Sequence, residues 1–155
     1  MTRAIRALLA AATLVLAGCG ASFEAVTPAG FVELEEEDGA YAHRALSADG
    51  LALAVREIEH EPQGELAFWV RAIENRMRQR GGYALLDTRD VSCRSGQQGK
   101  QLRFGHDEGS QPHLYYVTLF VTDDTLYLLE AGGTKKLMQE HAAEVEQAVT
   151  GFVIR

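Results

Sequence analysis

The stretch Leu114-Tyr115-Tyr116-Val117-Thr118-Leu119-Phe120-Val121 constrains the fold more than any other. Read as an extended strand, it puts Tyr115, Val117, Leu119 and Val121 on one face and Leu114, Tyr116 and Phe120 on the other. Both faces are apolar, so both need cover, and such a strand belongs near the middle of a sheet with a layer on each side. Turn chemistry brackets it: Asp107-Glu108-Gly109-Ser110 before, Thr122-Asp123-Asp124-Thr125 after. Residues 100–106 and 126–131 read as its neighbours, which gives an antiparallel meander.

The rest of the chain supplies further strands and the covering layers. Residues 41–45 and 51–58 flank the turn Ser47-Ala48-Asp49-Gly50 and form a hairpin, with Leu51, Leu53 and Val55 on one face and Arg56 on the other. Phe31-Val32-Glu33-Leu34 reads as a first short strand, and residues 83–91 as another. Residues 65–80 predict a helix, because Leu66, Trp69, Val70, Ile73 and Met77 recur at steps of three and four. That stripe makes Trp69 a core residue, and Gly81-Gly82 ends the helix. Gly132-Gly133-Thr134, with Thr134 as N-cap, leads into one last helix over about residues 135–149, whose apolar stripe is Met138, His141, Ala142, Val145, Val149 and then Phe152. No internal repeat, low-complexity tract or second domain is visible.

The N-terminus carries an address. Leu16-Ala17-Gly18-Cys19 resembles the lipobox of bacterial lipoproteins: a branched apolar residue, two small ones, then cysteine. Arg3 and Arg6 precede an apolar run over residues 7–17 that only Thr13 interrupts. The run is shorter than the roughly 20 residues a spanning helix needs. The resemblance implies that residues 1–18 are a signal peptide recognised through Leu16, Ala17 and Gly18, that Cys19 is lipidated, and that the membrane is reached through acyl chains. Residues 19–30, small and breaker-rich after the cysteine, read as a short tether, and residues 31–155 as one domain. In a two-membraned host Gly20, where Asp favours inner-membrane retention in enterobacteria, points to the periplasmic face of an outer membrane; in a single-membrane organism the same anchor places the protein outside the cell membrane.

Charge narrows the partners. Residues 1–18 hold two of the 15 Lys and Arg and none of the 22 Asp and Glu, so the net charge moves from −7 to −9 on their removal. An acidic surface argues against nucleic acid and against anionic lipid as ligands. With Cys19 lipidated, Cys93 has no intramolecular disulfide partner and reads as a small apolar filler.

Candidate chemistry is sparse. Five acids in Glu33-Leu34-Glu35-Glu36-Glu37-Asp38 lack the alternating oxygen spacing of a calcium loop and read as a solvated turn. His43, His60, His106, His113 and His141 show no i,i+4 pair, and no CxxC or HExxH occurs. His106 and His113 flank one hairpin turn with Asp107 and Glu108 beside them. A hydrolase site there is the alternative to exposed polar residues at a hairpin end. The loop serines have no Gly-x-Ser-x-Gly elbow, and Gly132-Gly133-Thr134-Lys135 lacks the spacing of a phosphate loop. Arg76, Arg78 and Arg80 end the first helix, where they suit its dipole and read either as a solvated helix end or as a contact for phosphate or an acidic partner. Tyr115, Tyr116 and Phe120 are the natural walls of a groove for a small apolar ligand, or else core. No metal and no cofactor is expected.

Gly81-Gly82-Tyr83, Gly99-Lys100-Gln101-Leu102, the run from Tyr116 to Val121, and Leu126-Tyr127 fall in an order of elements that resembles the PsbP-like fold. That group includes photosystem PsbP, Ran-binding Mog proteins and bacterial DcrB-type lipoproteins. The resemblance covers about residues 31–152. It implies an α+β fold, an antiparallel sheet with helices on its faces as an α/β/α sandwich, and it brings no catalytic residues with it. The resulting expectation is a non-catalytic envelope lipoprotein that binds or helps assemble another envelope protein. The alternatives are the hydrolase and the carrier of a small apolar ligand.

Overall fold

A computed structural model of the protein describes residues 20–35 and 39–155. In chain order the elements are β1 (Phe23–Glu24), β2 (Phe31–Glu33), β3 (His43–Ser47), β4 (Ala52–Glu59), α1 (Leu66–Gly81), β5 (Ala84–Ser92), β6 (Gln98–Glu108), β7 (Gln111–Val121), β8 (Thr125–Thr134), α2 (Lys135–Glu140), α3 (Ala142–Thr150) and β9 (Val153–Ile154). Strands β2 to β8 form one sheet in the order β2-β3-β4-β8-β7-β6-β5, antiparallel throughout. Helices lie on both faces, so the architecture is the expected α/β/α sandwich.

The doubly apolar strand lies within β7, next to the central β8 and covered twice. On one face Val117, with Leu102 and Phe104 of β6, meets Val70, Ile73 and Met77 of α1. On the other, Phe120 meets Val149 of α3 and Phe152 beyond it. Phe120 and Phe152 are fully buried and stack with centroids 6.0 Å apart. This packing depends on Gly99, which pairs with Phe120. A Cβ at Gly99 would stand 2.5 Å from the Leu119 carbonyl oxygen and 2.6 Å from the Phe120 ring, so only glycine lets that ring lie across the neighbouring strand. Cys93 is buried in the same cluster, an apolar filler as the sequence suggests. A polar pair buried on this face is satisfied, the Gln101 amide donating to the Thr118 hydroxyl at 3.0 Å and the Gln101 oxygen accepting from Arg103 at 2.7 Å.

Local signals place the ends of elements. Gly82 ends α1 in the left-handed conformation, φ 65°. The Leu137 amide donates to the Thr134 hydroxyl at 3.3 Å and caps α2. Gly50, with φ 102°, turns β3 into β4.

Three expectations need correction. The tether is not free along its length. Phe23 and Glu24 pair with Ile154 and Val153, and the Phe23 ring stacks on Phe152 at 5.4 Å. An aromatic ring in an otherwise small-residue segment finds an apolar seat, and burial wins over segment flexibility. The last helix is also not continuous. His141 leaves helical geometry (φ −100°, ψ 24°) and divides it into α2 and α3. Its ring is drawn outward to Asp49 in the β3–β4 turn, 2.9 Å away, and packs edge-on to Phe31. Trp69, finally, is only half-buried, because its indole N–H is held by a histidine at the rim of the helix.

Candidate functional site on the α1 face

Helix α1 covers its side of the sheet incompletely. None of its residues is fully buried. Between the helix and strands β4, β8 and β7 runs a groove of about 430 Å³. Val117, Leu119, Leu126 and Leu128 make its floor, Trp69, Ile73 and Met77 its helical wall, and Arg56, Glu61 and Arg76 its polar edge. The alternation of β4, β7 and β8 explains the apolar floor, since these strands also send apolar side chains to the opposite, closed face.

Two polar constructions frame the groove. At one end stands buried His60. Its Nδ1 lies 2.7 Å from the Thr122 carbonyl, to which it donates, and its Nε2 accepts from the Gly64 amide at 2.9 Å and the Trp69 indole N–H at 3.0 Å. With two N–H groups aimed at Nε2, that nitrogen accepts and Nδ1 donates. It ties the start of α1 to the β7–β8 turn. At the other end Arg56 donates to Glu130 at 2.8 Å and to the Tyr41 hydroxyl at 2.7 Å, with its guanidinium over the Tyr41 ring. Tyr115 completes this cluster. Burial, followed by the nearby Glu130 carboxylate, pushes its phenol far above the ordinary tyrosine value, so it stays protonated. Its ring lies against Gly132, where a Cβ would approach to 2.8 Å.

The arginine series occupies the last two turns of α1. Arg78 reaches Glu74 at 3.4 Å, while Arg76 lines the groove. Among the described residues neither Arg76 nor Arg80 has an acidic partner. The structure thus puts one of the three beside an apolar groove, a combination the helical periodicity alone does not reveal.

Other candidates fare differently. Tyr115, Tyr116 and Phe120 do not form one wall. Tyr115 faces α1, whereas Tyr116 and Phe120 face α2 and α3, and Phe120 is fully buried. His106 and His113 are directly opposed across β6 and β7, next to an open depression of about 550 Å³. His106 lies against the Tyr83 ring at 5.0 Å, and His113 is 3.7 Å from Glu108. Among the described residues, neither imidazole bonds to a serine or cysteine, and no group of three His, Cys, Asp or Glu side chains fits a metal ion. Leu16, Ala17, Gly18 and Cys19 lie outside the described residues, as do Glu36, Glu37 and Asp38 of the acidic turn. Among the described residues no helix is long and apolar enough to cross a membrane.

Sequence reading missed His60, Tyr41 and Glu130. His60 carries a local hint, since it stands four residues before Gly64 in a breaker-rich turn ahead of a helix. Its partner Thr122 is too far along the chain to be read from pattern. Arg56 was placed on the correct face, but its partners came only with the pairing of β4 and β8.

Sandwich, strand order and helix placement together define a PsbP-like fold. No protein-family model matches the chain, and no curated protein matches it in sequence. Solved structures do. LpqN of Mycobacterium tuberculosis, described as involved in cell envelope biogenesis, superposes with a TM-score of 0.71 at 11% identity, over 85% of this chain and 82% of that one. The cyanobacterial PsbP of Synechocystis sp. PCC 6803 gives 0.62 at 10%, over 86% and 87%. The Ran-binding protein Mog1p of Saccharomyces cerevisiae gives 0.51 at 14%, over 81% and 79%. At such identities the likeness is one of fold.

Proposed function

We propose that this protein is a lipid-anchored component of the bacterial cell envelope that acts as a non-catalytic binding or assembly module for another envelope protein. The observation that carries the reading is the half-covered α1 face. There an apolar groove of about 430 Å³ runs beside Arg76, with Arg78 and Arg80 on the turns beyond. Apolar surface rimmed by exposed guanidinium groups suits an acidic segment that contributes one or two apolar side chains. A fold shared with an envelope-biogenesis protein and with a Ran-binding protein supports the binding role by analogy. The sequence Leu16-Ala17-Gly18-Cys19 supports the anchor, and Gly20 supports the periplasmic face of an outer membrane.

The test is a cross-linked pull-down from native membranes with the full-length protein and its charge-reversed form R76E/R78E/R80E. One envelope protein recovered near one-to-one, and lost on charge reversal, is the expected result. No stoichiometric partner, or recovery indifferent to the reversal, overturns the reading. Fractionating inner and outer membranes checks the sorting.

A second reading has one observation in its favour: the groove lies within the size range of small-molecule sites and has an apolar floor. In that case the groove carries a small apolar ligand. Native mass spectra of the detergent-extracted protein then show a bound species, which Ile73→Trp, filling the groove, removes.

A further inference from the structure

We infer that the domain stands end-on at the lipid surface. The end formed by residues 60–64, 93–97 and 122–125 faces the headgroups, and the β6–β7 turn and the arginine end of α1 point into the aqueous space. This rests on the anchor at Cys19 and adds an orientation to it.

The argument begins with how early the chain is clamped. The Ser22 carbonyl accepts the Arg155 amide at 2.9 Å, and the Ser22 hydroxyl donates to Glu57. Phe23 is seated between Phe152 and Tyr127, and Arg155 is paired with Glu24. Only Gly20 and Ala21 separate this clamp from Cys19. Three residue steps span at most about 10 Å, so an acyl anchor on Cys19 would hold Ser22 within about that reach of the headgroups.

The register then says which end Ser22 marks. Glu57 pairs with Tyr127, Tyr127 with Phe120, Phe120 with Gly99 and Gly99 with Val91. Two residues further along β4 the sheet ends, at the pair Glu59–Thr125. The opposite end is the Gly109-Ser110 turn. An eleven-residue strand such as β7 is about 37 Å long, several times the reach of the tether. Helix α1 starts at the near end, just after the His60 latch, and carries Arg76, Arg78 and Arg80 about 15–21 Å away from it.

The clamp lies on the α2–α3 side of the sheet, and charge opposes the flat posture it would otherwise allow. Lying on the α2–α3 side would press Glu140, Glu144 and Glu146 toward anionic lipid, and an acidic domain is repelled by such a surface. The near end itself mixes Asp123 and Asp124 with Arg94 and Arg155, so tether length and not attraction sets the posture.

The test uses the acylated full-length product in phosphatidylethanolamine–phosphatidylglycerol vesicles that contain a nickel-chelating lipid. Single spin labels are placed through Asp124→Cys and Ser110→Cys, with buried Cys93 changed to Ser or left unlabelled. The label at 124 is expected to relax several-fold more through collision with headgroup nickel than the label at 110. Equal or reversed relaxation in a protein that carries its acyl chains and floats with the vesicles overturns the orientation alone. An unacylated or non-floating product overturns the anchor, and the orientation with it. A flexible insert of about 20 Gly and Ser residues after Gly20 should erase the difference while flotation persists. A difference that survives the insert overturns the tether argument.

Discussion

The two faces of the sheet are built from the same strands but packed to different standards. Under α2 and α3, Phe120, Phe152, Tyr127, Leu129 and Val149 close into a core, and the space beside Leu129 and Val149 is about 20 Å³, room for roughly one water. Under α1, Ile73 and Met77 touch the sheet, yet no helix residue is fully buried and a groove twenty times larger runs alongside. The first face stabilises the fold; the second leaves apolar area available for something else. The difference arises in the helices, not in the sheet. Met138, Val145 and Val149 reach full burial, whereas α1 stands off, pinned at its start by the His60 bonds.

Substitutions separate the faces, and the largest effect belongs to the closed one. Phe152→Ala should lower unfolding free energy by about 3–5 kcal/mol, measured by chemical denaturation, with a global loss of amide protection. Next comes the stitch between the faces. His60→Ala orphans the Thr122 carbonyl, the Gly64 amide and the Trp69 indole, at roughly 1–3 kcal/mol per group left dry. The loss should show first as faster amide exchange in α1, with α3 unchanged; uniform acceleration would mean α1 is not a separable unit. Smaller again is Ile73→Ala. It opens onto an existing groove and leaves no closed cavity, so it should cost less than about 2 kcal/mol. A loss equal to that of Phe152→Ala would erase the contrast between the faces.

The smallest effect is a pH dependence on the closed side. The hydrogen bond to Asp49 raises the His141 pKa above its ordinary value. Hydrogen bonds from Ser47 and then His141 lower that of Asp49. The raised histidine contributes stability that is full below its unfolded value and lost as pH rises through the folded one. The lowered carboxylate contributes stability that is present above its unfolded value and lost as pH falls through the folded one. The stability difference between the native protein and Asp49→Asn should therefore be greatest between about pH 4 and 6.5 and shrink on either side. A flat difference across that window would mean that the pair adds nothing.

Much of the fold was legible because its signals are local. Alternation in residues 114–121 demanded cover on two faces, Gly81-Gly82 ended α1 and Thr134 capped α2; each needs only a few neighbouring residues. The candidate site was less legible. Arg76, Arg78 and Arg80 were visible as a cluster, but the groove beside Arg76 exists only because β4 pairs with β8 beneath α1. One wall of Tyr115, Tyr116 and Phe120 conflicts with the strand alternation itself, which sets Tyr115 opposite the other two, as their packing shows.

By itself the sequence determined the sandwich class and most element positions, since periodicity and turn chemistry are short-range. Tertiary structure alone decided that the tether docks on β9, that His141 breaks the last helix, that His60 latches α1 to the β7–β8 turn, and that α1 stands off the sheet while α3 seals against it. Each of these depends on contacts between segments far apart in the chain, where packing and hydrogen-bond satisfaction override local preference.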